Sequence, residues 1–513
     1  MSRRGTTALA PSGPPTFLNA ARRSAELEAL TDGETVDVLV IGGGVTGAGA
    51  ALDAATRGLS VALVERHDLA SGTSRFSSKL AHGGIRYLAK GQLGVAWESA
   101  SERHLLATVT APHLVRAMPI VTPVYARSEE KIATLTEVGF RMGDKMRAAV
   151  GTPSARLPST RRIGAAETRL WAPGLNPTGL RRALLSWDGQ LEDDARLVTA
   201  IARTAASYGA KIITRCGVRS IERGAVHVED ALTGLEHEIH ARHVINATGV
   251  WAGELVEGIE LQPSQGSHLL IDAARLGNPR AMTNIMLPGV LGRVVFVIPR
   301  PDNLLLVGLT DTPVNGPIED EPTVPADDET YLLDAVSRVL ETPLTRTDVV
   351  GRFAGLRPLL RSGADSSADI SRRHAVLEDR STGAITVVGG KLTTYRRMAQ
   401  DAVDLLVAKS HDLSAGPCVT RQTKMVGAGP ASPAPDESVP AVLVRQYGSE
   451  AAEIAAEHPD LLEPVIEGSE VLRVQFEVAI QREGALSVED ILDRRTRLGL
   501  VPERRAAAEA LAV

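Results

Sequence analysis

Cysteine is scarce in this chain. Its 513 residues include two, Cys216 and Cys418, which lie far apart and belong to no metal-ligand or CxxC motif. A disulfide framework and a cysteine-based metal or redox centre are therefore excluded as the basis of function, and no metal is expected. The composition suits a reducing cytoplasm.

Long apolar runs are also missing. No stretch of about 18 uninterrupted apolar residues occurs, so no transmembrane helix is expected, whereas peripheral contact with a membrane stays open. Residues 1–33 are rich in Ala, Pro, Ser and Arg and predict a flexible N-terminal arm. The arginine pairs at 3–4 and 22–23 precede no apolar stretch of the kind that a secretion signal requires.

An excess of positive charge is lacking too. Lys and Arg number 56 against 62 Asp and Glu, which gives a net charge of −6 and no general reason to expect a nucleic-acid partner. Any attraction for anions must therefore be local. The length and a hydrophobic content of 43% predict a large core spread over more than one domain.

The chain does contain a glycine-rich turn in an informative context. Residues 36–41 predict a buried strand that ends at the sequence GGGVTG, and residues 45–57 predict the helix that follows. Gly42 permits the tight turn, Gly44 lets the backbone approach a pyrophosphate, and Gly47 lets the helix pack close to its strand. The helix N-terminus then aims N–H groups at the phosphates.

Two further strands end at the same predicted site. Residues 60–65 form an apolar run that closes on Glu65, about 20 residues past the glycines, where a carboxylate takes the ribose hydroxyls. Residues 241–247 form another buried run, which ends at Thr248 and Gly249. Because ligands of such sheets lie at the carboxyl ends of the strands, Thr248 and Gly249 are expected to approach the dinucleotide.

The order of these patterns predicts an α/β protein. A discontinuous Rossmann-type nucleotide-binding domain is expected at 34–260 and 375–426, because a last buried strand at 384–388 runs into Gly389-Gly390-Lys391. The β-type runs at 293–299 and 303–308 predict an inserted antiparallel-sheet substrate domain at 261–374. A linker at 427–440 and a helical C-terminal domain at 441–513 complete the chain.

Several longer motifs accompany the glycines in a fixed order. They are SGTS at 71–74, SKLAHGGIRYL at 78–88, DDARL at 193–197, GSH at 266–268, GLTD at 308–311, GLRPL at 355–359 and GGKLTTYR at 389–396. Together they resemble the FAD-dependent sn-glycerol-3-phosphate dehydrogenase family over nearly everything from Asp37 onward. The chain departs from the family pattern at Arg373-His374, where we expect an acid–aromatic pair.

The resemblance implies a cofactor, a reaction and partners. It implies FAD, oxidation of glycerol 3-phosphate to dihydroxyacetone phosphate by hydride transfer to flavin N5, and delivery of electrons to a membrane quinone. The expected location is the cytoplasmic face of the cell membrane, with peripheral contact. An oxidase that uses oxygen, a related flavin amine or amino-acid oxidase, and a flavoprotein without catalysis remain as alternatives, and a homodimer stays open.

Four cations within the motifs are the candidate substrate ligands. A phosphate ester carries roughly two negative charges, and arginine forks or a lysine can hold its oxygens. Arg86, Arg357, Arg372 and Lys391 occupy the positions that resemble the family's active site, and Tyr87 adds a hydroxyl. A single arginine is more often part of a surface ion pair, so the prediction of a phosphate site depends on all four cations together.

His268 is the candidate base. Hydride loss from the alcohol carbon requires removal of the hydroxyl proton, and imidazole accepts protons near neutrality. Arg357 is the competing candidate, since a guanidinium beside the alcohol stabilises a developing alkoxide. The sequence leaves open which of the two roles dominates.

The remaining cofactor positions are also taken from the motifs. Ser71, Thr73 and Ser74 are expected near the pyrophosphate, although a solvated serine loop is the plainer alternative. Lys391, Leu392 and Thr393 are expected to bring donors to the isoalloxazine.

Residues 131–147 place five apolar side chains near one helical face, with basic residues interspersed. A core helix with a solvated side is the favoured interpretation, and contact with lipid is the alternative.

Overall fold

The fold was described from a computed structural model of the chain. It describes residues 15–84, 87–88, 91–126, 129–287, 294–360, 374–430 and 438–511. Arg86 and Arg372, two of the predicted substrate ligands, lie outside these ranges, as do residues 431–437 of the predicted linker.

A mainly parallel sheet carries the glycine-rich turn. Its strands are β1 (Val36–Ile41), β2 (Val61–Val64), β7 (Lys211–Ile213), β10 (Leu235–Asn246), β17 (Ala375–Glu378) and β18 (Ile385–Val388), in the order β17-β18-β10-β1-β2-β7. The β-branched and leucine residues of β1 and β2 are buried, as expected for strands covered on both faces. An antiparallel ribbon of β8 (Cys216–Glu222) and β9 (Ala225–Asp230) extends β10.

Helices cover the parallel sheet. They include α1 (Ala20–Thr31), α2 (Val45–Thr56), α6 (Asp194–Ser207) and α9 (Tyr395–Lys409). Alanine-rich α2 packs against both α6 and α9, because small side chains allow the helices to approach closely. The strand β18 and α9 come from the far end of the chain, so the nucleotide-binding layer is discontinuous, as predicted.

The second sheet is mainly antiparallel. Its order is β15-β11-β14-β13-β12-β4-β6-β3, with β16 added on β11 and β5 on β6. The strands are β3 (Leu80–Ala81), β4 (Val115–Val124), β5 (Arg161–Gly164), β6 (Arg182–Leu191), β11 (Ser264–Asp272), β12 (Met282–Met286), β13 (Val294–Arg300), β14 (Leu304–Gly308), β15 (Thr312–Pro313) and β16 (Val349–Arg357). The sheet predicted at 261–374 thus also takes strands from residues 80–191, because β4 pairs with β12.

The other helices accompany the two sheets or belong to the C-terminal part. They are α3 (Leu93–Leu105), α4 (Glu130–Ala149), α5 (Ala165–Trp171), α7 (Ala252–Leu255), α8 (Ala326–Ser337), α10 (Ala441–Tyr447), α11 (Ala451–Glu457), α12 (Val474–Gln481) and α13 (Pro502–Glu509). Helix α8 packs against β11 and β13 of the second sheet. The predicted helical C-terminal domain is confirmed.

The N-terminal segment differs from the predicted flexible arm. Residues 20–31 form α1, which begins where the side chain of Asn19 accepts a hydrogen bond from the Arg22 amide. Arg23 is buried and donates to the Thr214 carbonyl oxygen at 2.9 Å. A polar composition suggested disorder, but the arginines are paired inside the fold. Residues 1–14 lie outside the described part.

Helix α4 also differs from the favoured core interpretation. Its apolar residues Ile132, Leu135, Val138 and Met142 are between 43% and 60% exposed. The face that is turned inward carries Glu137, which accepts hydrogen bonds from Arg141 and Arg162 at 2.9 and 2.6 Å. Helical periodicity therefore located the helix correctly, while ion pairing decided which face is buried.

Candidate active site

One cavity of about 1110 Å³ takes its lining from both sheets. It is bordered by most of the described residues that the sequence predicted, namely Gly42, Gly44, Glu65, Ser71, Thr73, Ser74, Tyr87, Thr248, Gly249, His268, Arg357, Lys391, Leu392 and Thr393. Gly47 lies behind the cavity wall, where a methyl group would come within 1.9 Å of the Gly42 carbonyl oxygen. The structure therefore brings together motifs that are more than 300 residues apart.

The glycine-rich turn shapes one end of the cavity. Gly42 has a φ of +108°, which favours glycine, and a methyl group there would lie 2.6 Å from the Ala247 carbonyl oxygen. Helix α2 begins directly afterwards, and its first amide, that of Val45, donates to Ser74 Oγ at 2.9 Å. The helix N-terminus and a hydroxyl thus border the same space, an arrangement suited to a pyrophosphate.

Glu65 lies at the carboxyl end of β2, as predicted. Its carboxylate accepts from the Gly43 amide at 2.6 Å, from the His67 amide at 2.8 Å and from Ser71 Oγ at 3.2 Å. These contacts hold an acceptor group beside the glycine-rich turn, where ribose hydroxyls would reach it. Thr73 is directed elsewhere, because its hydroxyl donates to the Leu356 carbonyl oxygen at 2.6 Å.

A cation–π pair on the cavity wall was not predicted from the sequence. The Arg66 guanidinium carbon lies 4.4 Å from the centroid of the Trp251 ring, and both residues border the cavity. Arg66 directly follows Glu65, so its position gave a usable signal, whereas Trp251 follows a strand far along the chain. Together with the turn and Glu65, these residues fit an adenine dinucleotide.

Lys391 lies at the other end of the cavity, where β18 ends. Its Nζ donates to Ser99 Oγ at 2.8 Å and lies 3.7 Å from the centroid of the Tyr87 ring. Thr393 follows, and its hydroxyl accepts from the His82 amide at 3.2 Å. The predicted lysine and tyrosine are therefore neighbours.

Arg357 enters the same space from the end of β16. Its Nη1 donates to Asp311 Oδ1 at 2.9 Å, and its Nη2 donates to the Thr310 carbonyl oxygen at 3.1 Å. Gly266 permits this position, since a methyl group there would lie 2.3 Å from Nη2.

His268 is a buried residue of β11. Its Nε2 lies 2.9 Å from Ser78 Oγ, and its ring stacks on Phe353 with centroids 4.8 Å apart. Burial first, then the positive charges of Arg357 and Lys79, lower the pKa of His268 to about 3. The imidazole is therefore neutral at physiological pH, and in this environment it is a weaker base than an ordinary histidine.

His82 is a second imidazole on the cavity wall, and the sequence did not single it out. Its Nδ1 lies 3.2 Å from Asp188 Oδ2, while about half of its side chain is exposed. Burial alone would raise the pKa of Asp188, but Arg103, 2.6 Å away, and His82 lower it to about 2. The motif at 78–88 contained the signal for His82, whereas an acid within β6 gave none for Asp188.

The fold and this site define an FAD-dependent oxidoreductase, and FAD is its cofactor. A family model described as FAD dependent oxidoreductase matches residues 37–396, and one described as the C-terminal domain of alpha-glycerophosphate oxidase matches residues 381–513. Glycerol-3-phosphate dehydrogenase 1 of Mycobacterium bovis is 50% identical over 507 residues, which cover 96% of this chain and 97% of that protein. The chain belongs to the FAD-dependent glycerol-3-phosphate dehydrogenase family.

Solved structures agree with this assignment. The glycerol-3-phosphate dehydrogenase of Bacillus halodurans complexed with FAD superposes with a TM-score of 0.72 at 27% identity, covering 96% of this chain and 93% of that one. The L-alpha-glycerophosphate oxidase of Mycoplasma pneumoniae with FAD bound shares the fold, with a TM-score of 0.57 at 19% identity over 76% of this chain and 99% of that one.

Two kinds of site were not found in the described ranges. None of the helices there combines the length and apolar character needed to span a bilayer. Within the same residues, no group of three or more His, Cys, Asp or Glu side chains is arranged to hold a metal ion.

The Asp188→Asn substitution should change how stability depends on pH. The folded pKa of about 2 lies below the ordinary value of 3.8, so ionised Asp188 stabilises the fold fully above about pH 5, and this contribution is lost as the pH falls towards 2. Its size is roughly 2 kcal/mol. Urea unfolding should show a difference between wild type and variant that shrinks from pH 6 to pH 3.

The exposed Asp334 of α8 provides the control for this experiment. Asp334→Asn should leave the free energy of unfolding within about 0.5 kcal/mol of the wild type at each pH. A difference for Asp188→Asn that does not vary with pH would contradict the assigned charge state.

Proposed function

We propose that the protein oxidises sn-glycerol 3-phosphate to dihydroxyacetone phosphate and passes the electrons to a membrane quinone. The observation that carries the substrate assignment is the convergence of Arg357, Lys391 and His268 on one cavity in a chain of net negative charge. The names of the relatives support the same substrate. FAD, when bound, supplies the acceptor for the hydride of the alcohol carbon, at its N5 atom.

We assign the phosphate to the cations. Lys391 and Arg357 border the cavity, and Arg86 and Arg372, which lie outside the described residues, belong to the same proposed set. Tyr87 stands directly beside Lys391, so its hydroxyl can add a neutral hydrogen bond. The fork of Arg357 is already oriented by Asp311, which lowers the entropy lost when it binds an anion.

We keep His268 as the proposed base. Burial is the main cause of its low pKa and the charge of Arg357 is the next, so an anionic phosphate on Arg357 would offset the second cause and make the imidazole more basic once substrate is present. His82 competes for this role, because ionised Asp188 orients its Nδ1 and leaves Nε2 as the acceptor. Arg357 retains the alternative role of stabilising a developing alkoxide.

Anaerobic flavin bleaching tests the substrate assignment. Glycerol 3-phosphate should bleach the bound flavin, and Arg357→Met should lower kcat/KM by several orders of magnitude, since charged contacts of this kind contribute roughly 3–5 kcal/mol. Arg352→Met on the same strand is the control. Arg352 is exposed, 3.7 Å from Glu329, and its removal should leave the rate nearly unchanged.

The outcomes separate the alternatives. Bleaching by an amino acid but not by the phosphate ester would identify an amine or amino-acid oxidase. Absence of bleaching by either would favour a flavoprotein without catalysis. A normal rate in Arg357→Met would remove Arg357 from the reaction.

Replacement of each histidine by glutamine distinguishes the two candidate bases. Loss of a general base lowers the rate by roughly 10²–10⁴-fold, so His268→Gln should reduce the rate of flavin reduction by that factor, and His82→Gln by less. Stopped-flow absorbance under anaerobic conditions measures both rates per bound flavin. The reverse order of the two variants would transfer the role to His82.

The membrane assignment is supported by an exposed apolar face. This face consists of Leu93 and Trp97 of α3 and of Ile132, Leu135, Val138 and Met142 of α4, all at least 43% exposed. Helix α3 packs against α4, so the two helices form one surface. Lys131, Arg141 and Lys145 of α4 are also exposed, and basic side chains beside apolar ones suit an anionic bilayer.

The quinone assignment is supported by the apolar residues in the cavity lining. Its lining includes the apolar residues Ile120, Pro123, Leu135, Phe140, Met286 and Phe296. Ile132 and Leu135 border the cavity and also belong to the exposed face, so the cavity lining is continuous with that face. An apolar lining of this kind suits a lipid-soluble acceptor and supports the proposed peripheral contact with the inner face of the cell membrane.

Leu135→Glu should separate the two halves of the reaction. A charge at this position should reduce binding to anionic phospholipid vesicles and reduction of a vesicle-bound quinone by at least about tenfold, while glycerol 3-phosphate still bleaches the flavin. Leu170→Glu is the matched control, because Leu170 is 74% exposed on α5. Unchanged quinone reduction, or peroxide formed in place of quinol, would contradict the assignment.

A further inference from the structure

The C-terminal domain is fixed to the nucleotide-binding part by buried charges. Arg495 donates to Asp68 through Nη1 and Nη2, both at 2.8 Å, and Arg494 Nε lies 2.7 Å from the same carboxylate. Arg196 of α6 reaches the other way, to Glu483 at 2.7 Å. These pairs are almost completely removed from solvent, so the domain is held in one position.

From that position one arginine reaches the turn beside the active site. Arg497 has a φ of +67°, and its Nη2 donates to the Arg75 carbonyl oxygen at 2.7 Å. Its Nε lies 3.3 Å from Asp193 Oδ2, and its Nη1 is held by the Asp493 carbonyl oxygen at 2.7 Å. The Arg497 side chain is about nine-tenths buried, and both terminal nitrogens of its guanidinium donate to backbone carbonyl oxygens.

The turn that it contacts carries Ser78. Asp194 accepts from the Ser77 amide at 2.9 Å and from its hydroxyl at 2.7 Å, and Lys79 Nζ donates to Asp194 at 2.5 Å. Lys79 Nζ also donates to the Arg75 carbonyl oxygen at 3.0 Å, so this oxygen is shared with Arg497. The hydroxyl of Ser78 then lies 2.9 Å from His268 Nε2.

The same domain also supports the other face of His268. The Leu500 carbonyl oxygen lies so close to β16 that a methyl group at Gly351 would meet it at 2.2 Å. Leu500 and Val501 belong to the apolar cluster of Phe353, whose ring stacks on His268. The C-terminal domain therefore contacts both groups that hold the His268 imidazole, which are the turn that carries Ser78 and the ring of Phe353.

We propose that Arg497 is a positioning residue for the oxidation of the substrate. By holding the Arg75 carbonyl oxygen it keeps the turn at residues 75–79 closed, and this keeps the Ser78 hydroxyl on Nε2 of His268. The inference deepens the proposed function and rests on it. It gives the C-terminal domain a role in the reaction itself, in addition to its role in the fold.

A double-mutant cycle tests this role. Arg497→Met should slow flavin reduction by glycerol 3-phosphate roughly ten- to a hundredfold, because small misplacements of a reacting group have effects of that size. The substrate concentration at half-maximal rate should change little, since the phosphate-binding cations are elsewhere. If Arg497 acts through Ser78, the double variant Arg497→Met/Ser78→Ala should be as slow as Ser78→Ala alone.

Two controls separate positioning from general destabilisation. Arg504→Met, in α13, also removes a contact between the domains, with Asp302, but leaves the turn intact, so its reduction rate should equal that of the wild type. Arg497→Lys should recover part of the rate. All rates are expressed per bound flavin, and Tm is recorded for each variant.

Independent effects of the two substitutions would overturn the proposal, as would a normal reduction rate in Arg497→Met. Crystal structures of the flavin-loaded wild type and Arg497→Met supply a test without substrate, in which the distance from Ser78 Oγ to His268 Nε2 should exceed 3.5 Å only in the variant. An unchanged distance would also overturn it. Wild-type bleaching tests the proposed function separately.

Discussion

Charges that are removed from water must be paired, and this constraint organises the protein around its cavity. Asp188 is tied to Arg103, Asp194 to Lys79, and Asp68 to Arg495, each within 2.8 Å and almost fully buried. Removing one partner of such a pair costs about 3–5 kcal/mol, because an uncompensated charge is left behind. The pairs therefore fix how the two sheets and the C-terminal domain meet, and they do so beside His82, Ser78 and the glycine-rich turn.

The same constraint explains how the active-site charges are distributed. Arg357 is compensated in part by Asp311, and Lys391 lies on an aromatic ring and a serine hydroxyl. The cavity can therefore hold positive charge without a bound anion and still attract one. Burial is the main cause of the low pKa of His268, and the positive charge of Arg357 lowers that pKa further.

Local patterns were sufficient to identify residues that border one cavity as the predicted nucleotide site. The glycines, Glu65 and the strand that ends at Lys391 follow from the chemistry of one turn and of the ends of strands, so their sequence neighbourhoods contain the information. His268 could be proposed from the sequence because its motif is short and contiguous, and the structure places it on the cavity wall. These residues now lie around one cavity, while the contributions of Arg86 and Arg372 stay predictions.

Contacts between residues that are far apart in the chain could not be predicted from local sequence patterns. Asp188 lies in the middle of a strand, and its partner His82 is 106 positions away. The second sheet combines strands from residues 80–191 with strands from 264–357, since β4 pairs with β12. The sequence pattern of neither strand indicates with which other strand it pairs. The N-terminal helix is a similar case, because Arg23 finds its acceptors near residues 214 and 230.

Helix α4 shows most clearly what periodicity leaves undetermined. The spacing of its apolar residues is the same whether they face a core or a bilayer, and only the partners of Glu137 decide between the two. Glu137 forms an ion pair with Arg162 of the adjoining strand β5. The polar face of α4 is therefore directed inward, and its apolar face is exposed. The pairing of one buried carboxylate thus leaves exposed an apolar helix face, two of whose residues, Ile132 and Leu135, also border the cavity.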